Sequence, residues 1–273
     1  MRDKLTTISD AIAAVQDNQT IALGGNTLHR GPSAAVHELI RQGRRGLEIV
    51  KTAGAYDVDL LCGTGVAASV SAGFIGFETA YGLAPSYRRG VERGAVEARE
   101  HACYTVIAGL RAAIQGIPFM PVAGMYGSDV LAARGFRTVL DPYNGQPVVA
   151  APAITPDVAI IHVQEADPQG NARIIGTRFE DVLMAQAARH VIVTAERIVD
   201  GATFEATPEV VAIPGFMVDA VVAAPHGAWP CSCAGEYEQD DAFLAEYVAA
   251  SQDADRFAAF VRDRILTRDL VNA

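Results

Sequence analysis

The run Asp17-Asn18-x-x-Ile21-Ala22-Leu23-Gly24-Gly25-Asn26-x-x-x-Arg30-Gly31-Pro32 closes an apolar segment on two glycines and resumes at a proline. Glycine tolerates positive φ and close approach of a ligand, and a helix start offers unpaired amides at the positive end of its dipole. That chemistry suits an anion. A tight strand-to-helix turn with no ligand is the simpler reading of an isolated Gly-Gly pair. No third glycine follows at the dinucleotide-fingerprint spacing, and no Gly-Lys-Ser/Thr closes a P-loop. Rossmann and kinase-like sites are therefore not expected.

A second group is Glu97, Glu100, His101 and Cys103. A helix is expected over Arg99–Leu110, continuing to Gln115, which would set Glu100 and Cys103 on one face and Glu97 near the helix start. Solvated first-turn acids read equally from the two glutamates, since the helix dipole favours them there. His101 is expected at the surface. Cys103 reads as a packed small hydrophobe or as a pocket-lining thiol. His29, inside the glycine turn, is the one histidine expected to face a substrate, whereas His162 sits in an apolar run and reads as core. Met125 to Asp129 is a plausible pocket loop, but Ser128-Asp129 lacks the GxSxG elbow of a serine hydrolase. Trp229, in a proline-bounded loop, reads as packing. Cys231 and Cys233 lack a second ligand pair, so no metal is expected.

These residues need elements to hold them. Ile8, Ala11, Ile12 and Val15 recur at helical spacing, a polar turn follows, and Ile21–Leu23 reads as a buried strand. A helix beginning near Pro32 carries Val36, Leu39 and Ile40 on one face and ends at Gly43. Leu47–Val50 is another buried strand, ending at Ala53 and Gly54. Strands are expected again at Ile117–Val122 (irregular), Val158–Val163, His190–Thr194 and Asp219–Ala223, and helices at Phe179–Ala187 and Asp241–Leu266. The alternation predicts an open, mostly parallel α/β sheet with helices on both faces. Residues 126–147, rich in Gly, Asp, Asn and Pro, suggest an excursion from that sheet. The 273 residues read as a single domain with no internal repeat.

Half of the residues are hydrophobic and the net charge is −10. A large core follows, while a phosphate-backbone footprint is excluded as the default, so nucleic acid is not an expected partner. No apolar stretch approaches a membrane span and no cleavage signature opens the chain, so a cytoplasmic protein away from membranes is expected. Four unevenly placed cysteines read as thiols.

The glycine turn also resembles the first signature of type I coenzyme A transferases, in the form seen in glutaconate CoA-transferase α subunits, where an arginine precedes the proline by two positions. Ala34–Gly43 (AAVHELIRQG), Asp59–Gly65 (DLLCGTG), Gly116–Val122 (GIPFMPV), Asp157–Gly170 (DVAIIHVQEADPQG) and Ile213–Gly235 (IPGFMVDAVVAAPHGAWPCSCAG) resemble that family's α-subunit blocks in the same order. The likeness implies the CoA transferase fold (NagB/RpiA/CoA transferase-like) and a separately encoded β subunit in a heterotetramer or larger assembly. It implies that a β-subunit glutamate attacks an acyl-CoA and passes through a glutamyl-CoA thioester, with CoA as substrate and no permanently bound cofactor. Counting back from Gly116-Ile117-Pro118-Phe119, the transferases carry an oxyanion-donating glutamine where this chain has Cys103. Losing such a donor costs roughly 100- to 1000-fold in rate. Steroid ring-opening hydrolases of this fold carry a glutamate near there, and Arg99-Glu100-His101 resembles a decarboxylase-like branch. Transfer of CoA to a carboxylic acid of the dicarboxylic (glutaconate) or 3-oxo type leads; hydrolysis or decarboxylation of an acyl-CoA and a noncatalytic regulatory role are the alternatives. On this reading Cys103 and Glu100 are the candidate catalytic residues. Gly24, Gly25, Asn26, Thr27, His29, Arg30, Gly54, Glu97, Met125, Tyr126 and Ser128 are the candidate substrate-binding residues.

Overall fold

The structure is a computed structural model that describes residues 2–267. Its strands are β1 (Leu5–Thr6), β2 (Thr20–Leu23), β3 (Leu47–Gly54), β4 (Ala67–Ile75), β5 (Glu97–Glu100), β6 (Phe119–Val122), β7 (Arg137–Leu140), β8 (Pro147–Pro152), β9 (Val158–Ala166), β10 (Ala172–Arg173), β11 (His190–Ile198) and β12 (Ala220–Ala223). The α-helices are α1 (Ile8–Ala13), α2 (Ser33–Arg41), α3 (Tyr56–Gly63), α4 (Glu78–Tyr81), α5 (Pro85–Glu92), α6 (Cys103–Ile114), α7 (Val130–Ala133), α8 (Asp181–Ala187), α9 (Gly201–Ala206), α10 (Asp241–Ser251) and α11 (Ala254–Phe260).

The main sheet runs β1-β12-β11-β9-β2-β3-β4-β5, all parallel, with β10 antiparallel on β9. Strand pleating sends alternate side chains to opposite faces. Ile21, Leu23, Ile49, Ile160 and Ile192 enter one core with α2, α3, α10 and α11. Ala22, Val50, Ile161, Val163 and Val193 enter the other, against Val106 and Leu110 of α6 and Met184 of α8. The open α/β sheet expected from the alternation is therefore the one observed. From β2 the chain builds outward through β3 to β5, whereas β9 to β12 build the other way, so strand order reverses between β2 and β9. A crevice at the carboxyl ends of two such strands is the usual ligand site of an open α/β sheet.

Residues 119–152 leave this sheet and form a second, antiparallel one in the order β6-β8-β7. Ile117–Val122, expected as an irregular strand, contributes its last four residues to this second sheet as β6. The sharper correction concerns Arg99 and Glu100, which are not helical. Glu97–Glu100 is the edge strand β5, pairing Ser69 with Glu97 and Ala72 with Glu100, and the helix starts only at Cys103. Glu, Ala and Arg are good helix formers, but intrinsic propensity is worth little per residue, and a free strand edge on β4 outweighs it. Among the described residues, no helix is long and apolar enough to cross a membrane.

Candidate active site

The turn after β2 folds back on itself. Asn26 N–H donates to the His29 carbonyl (2.9 Å) and His29 N–H to the Asn26 carbonyl (2.8 Å), while Thr27 N–H reaches Ala53 O and Arg30 N–H reaches Ser232 O. The amides expected to be free are taken: Gly24 N–H donates to Ile160 O (2.9 Å) and Gly25 N–H to Asp181 Oδ1 (3.0 Å). A Cβ on Gly24 would stand 2.4 Å from Asp181 Oδ1, and one on Gly25 would stand 2.4 Å from Arg30 O. The glycines thus admit the protein's own carboxylate and backbone, which corrects the expectation that they open the chain to an anion. Arg30 is likewise inward. It is 3% exposed, and its guanidinium donates to Asp181 Oδ1 and Oδ2 and to the carbonyls of His162 and Thr177. Lys51 braces the floor through Gly24 O (2.8 Å) and Asp57.

Above this buried layer lies a polar mouth. Asn26 Nδ2 donates to Thr52 Oγ1 (3.4 Å), and Thr52 Oγ1 donates to Glu180 Oε2 (2.5 Å). The Cys103 thiol donates to Thr52 O (3.4 Å) from the first turn of α6. That close approach depends on Gly73, where a Cβ would meet Cys103 N at 2.3 Å. Helix α6 begins at Cys103 without a side-chain cap, which sets the positive end of its dipole at this residue. Cys103 is exposed, which corrects its reading as a packed hydrophobe. Partial burial and the Glu180 carboxylate push its thiol up, keeping it protonated at neutral pH. On the other rim, Thr27 Oγ1 bonds Glu78, His29 Nε2 lies 4.0 Å from Glu78 Oε1, and His29 Nδ1 pairs with Ser232 Oγ at 2.8 Å. The His29 ring stacks on Phe179 with centroids 6.5 Å apart. Thr27, Arg30, Glu78 and Phe179 all adopt positive φ without being glycine, a strained conformation that clusters at functional sites.

The structure therefore joins Asn26, Thr27, His29 and Cys103 at one mouth and leaves the other candidates elsewhere. Gly54 is buried beneath Val58, whose Cγ2 would lie 2.4 Å from an added Cβ. Glu97 pairs with Arg99 on the edge strand, and that hydrogen bond holds its carboxyl low. Glu100 is exposed on the same strand and shares no helix face with Cys103. His101 is buried, not at the surface: Nδ1 pairs with Thr105 Oγ1 (3.0 Å) and Nε2 receives Arg134 Nε (3.3 Å). Met125 packs on the small core of the second sheet, Tyr126 is exposed, and Ser128 Oγ accepts from Val130 N–H at 3.3 Å. Sequence reasoning missed Thr52, Glu78, Phe179 and Glu180. Phe179 and Glu180 read as ordinary helix-start residues, and no local signal marked Glu78. It also missed that His162, Glu196 and Cys233 offer ligand atoms within 4.8 Å of one another. There His162 Nε2 is bonded to Glu196 Oε1 (2.8 Å), and Glu196 also accepts from Tyr237 and the His226 amide.

Comparison with known proteins gives the family. A family model described as coenzyme A transferase matches residues 5–224. The A-subunit of glutaconate CoA-transferase from Acidaminococcus fermentans is 36% identical, with 95% of this chain and 87% of that one covered. A crystal structure of glutaconate coenzyme A-transferase from the same organism superposes with a TM-score of 0.94, covering 97% of this chain and 90% of that chain at 34% identity. A structure of the decarboxylase AibA/AibB superposes at 0.88, covering 97% and 98% at 35% identity. An uncharacterized protein of Archaeoglobus fulgidus is also 36% identical over 92% of this chain, which spans only 57% of that relative.

Proposed function

From the premise that this chain belongs to the coenzyme A transferase family, we propose that it is the α subunit of a heteromeric enzyme that moves CoA from an acyl-CoA to a carboxylic acid. The observation that carries this reading is the near-complete superposition on a glutaconate coenzyme A-transferase, with a TM-score of 0.94. The chemistry of the mouth agrees. Cys103 is a protonated thiol and a weak nucleophile, and Thr52 is only 2% exposed. The attacking glutamate then comes from the β subunit, which faces this mouth across the interface. Asn26, Thr27, His29 and the start of α6 line the acyl side, and α6's first amides take over the oxyanion donation that a glutamine would make from position 103. Arg30 and the two glycines serve by holding the turn's shape. CoA enters as substrate, no cofactor is permanently bound, and four free thiols suit a cytoplasmic location.

A second reading, decarboxylation of an acyl-CoA, is favoured by Cys103 itself and by the likeness to the decarboxylase AibA/AibB. Co-expression with a candidate β subunit separates the two. A screen of saturated, unsaturated, 3-oxo and dicarboxylic acyl-CoA thioesters, each with carboxylate acceptors, is expected to show CoA moving to an acceptor only when both polypeptides are present. Carbon dioxide release in place of transfer selects the second reading. Turnover by this chain alone would overturn the shared-site proposal.

A further inference from the structure

Transfer of CoA between two carboxylates moves no proton, yet the mouth contains an oriented carboxylate with an oxygen to spare. Glu180 Oε2 is held by the Thr52 hydroxyl at 2.5 Å, and Thr52 is in turn held by Asn26 and is almost wholly buried. Among the described residues, Glu180 Oε1 has no hydrogen-bond partner, and Glu180 is only half-buried. The residues on either side explain how it is aimed. Phe179 is forced to φ 44° with its ring under His29, and Asp181 is locked by Arg30 and the Gly25 amide. A half-buried carboxylate with one oxygen fixed by a buried donor and the other unpaired is the arrangement of a general base with its orienting group.

We propose that Glu180 is a general base that directs water onto the acyl-CoA, so that the assembled enzyme also releases CoA without any acceptor acid. This inference rests on the coenzyme A reading above. Glu180 takes one proton from water as the water oxygen bonds to the thioester carbonyl carbon. The C–S bond then breaks, CoA leaves as its thiolate and collects that proton, and the products are one carboxylic acid and one CoA. Thr52 is a positioning residue acting through Glu180.

The test uses the two-subunit complex and measures free CoA thiol without acceptor, alongside transfer with acceptor, for the same panel of acyl-CoA thioesters. Glu180→Gln is expected to lower the ratio of hydrolysis to transfer by about 100-fold, within the range of general-base catalysis. Thr52→Val, close in volume, is expected to lower the ratio about tenfold by freeing the carboxylate. A parallel fall of both activities, or an unchanged ratio, would overturn the role of Glu180. So would a complex that transfers CoA but never releases it to water, which leaves the transferase reading intact. A CoA adduct on this chain by intact mass would also overturn it, by making Glu180 or Glu78 a nucleophile. A complex inert towards the whole panel removes the coenzyme A reading and this inference with it.

Discussion

Arg30 shows how a residue's type can suggest one role and its surroundings impose another. In sequence it is a lone cation in a glycine turn, a natural partner for an anionic substrate. In the fold it is buried, sits at φ 55°, and is saturated by Asp181 and two carbonyls. Removing one member of a buried ion pair strands the other charge, at a typical cost of about 3–5 kcal/mol. Arg30→Met is therefore expected to destabilise the chain by about that much in chemical denaturation. Arg30→Met with Asp181→Asn should recover part of the loss, because an amide oxygen can still accept from Gly25 N–H. A loss of activity at unchanged stability would instead return Arg30 to the substrate.

At the level of elements, the second sheet is tied to the main one through a histidine. His101, between β5 and α6, accepts from Arg134 just after α7 and packs edge-on against Phe136, with centroids 5.4 Å apart. Burial first and the Arg134 charge second push its pKa from 6.5 down to about 4, with a smaller opposing pull from Glu48. Its folded value is thus below its unfolded one, so the stability it contributes is present above pH 6.5 and is lost as pH falls through 4. The full effect is about 3 kcal/mol. Hydrogen exchange of residues 130–140 is expected to accelerate between pH 6.5 and 4 once the intrinsic rate is corrected. His101→Gln, which gains no charge, should flatten that response; a wild-type response equal to that of the β9–β11 core would refute the link.

Across the whole molecule, one group of exposed apolar residues lies on β4, α6 and the second sheet, while Leu5 and Phe216 are exposed at the β1 end. Phe74 ends β4, Leu83 follows α4, Tyr104 opens α6, and Leu140 and Tyr143 lie on the second sheet and its hairpin. Exposed apolar residues of this kind are the material of interaction faces. Under the proposed function, adding the β subunit is expected to slow hydrogen exchange at residues 74–83 and 103–106. Protection confined to the β1 edge would place the partner on the wrong side of the sheet.

The alternation of apolar strands and one-sided helices determined the open parallel sheet, because burial on both faces demands that pattern whatever the neighbours are. The same local logic located the turn after β2. What Gly24, Gly25 and Arg30 face was decided by Asp181, more than 150 residues away, and the separation of Glu100 from Cys103 was decided by the unpaired edge of β4. Thr52 meets Glu180, and Thr27 meets Glu78, only because residues far apart in the chain come together at the carboxyl ends of the strands. A hydrogen bond depends on distance in space, which the order of residues along the chain does not carry.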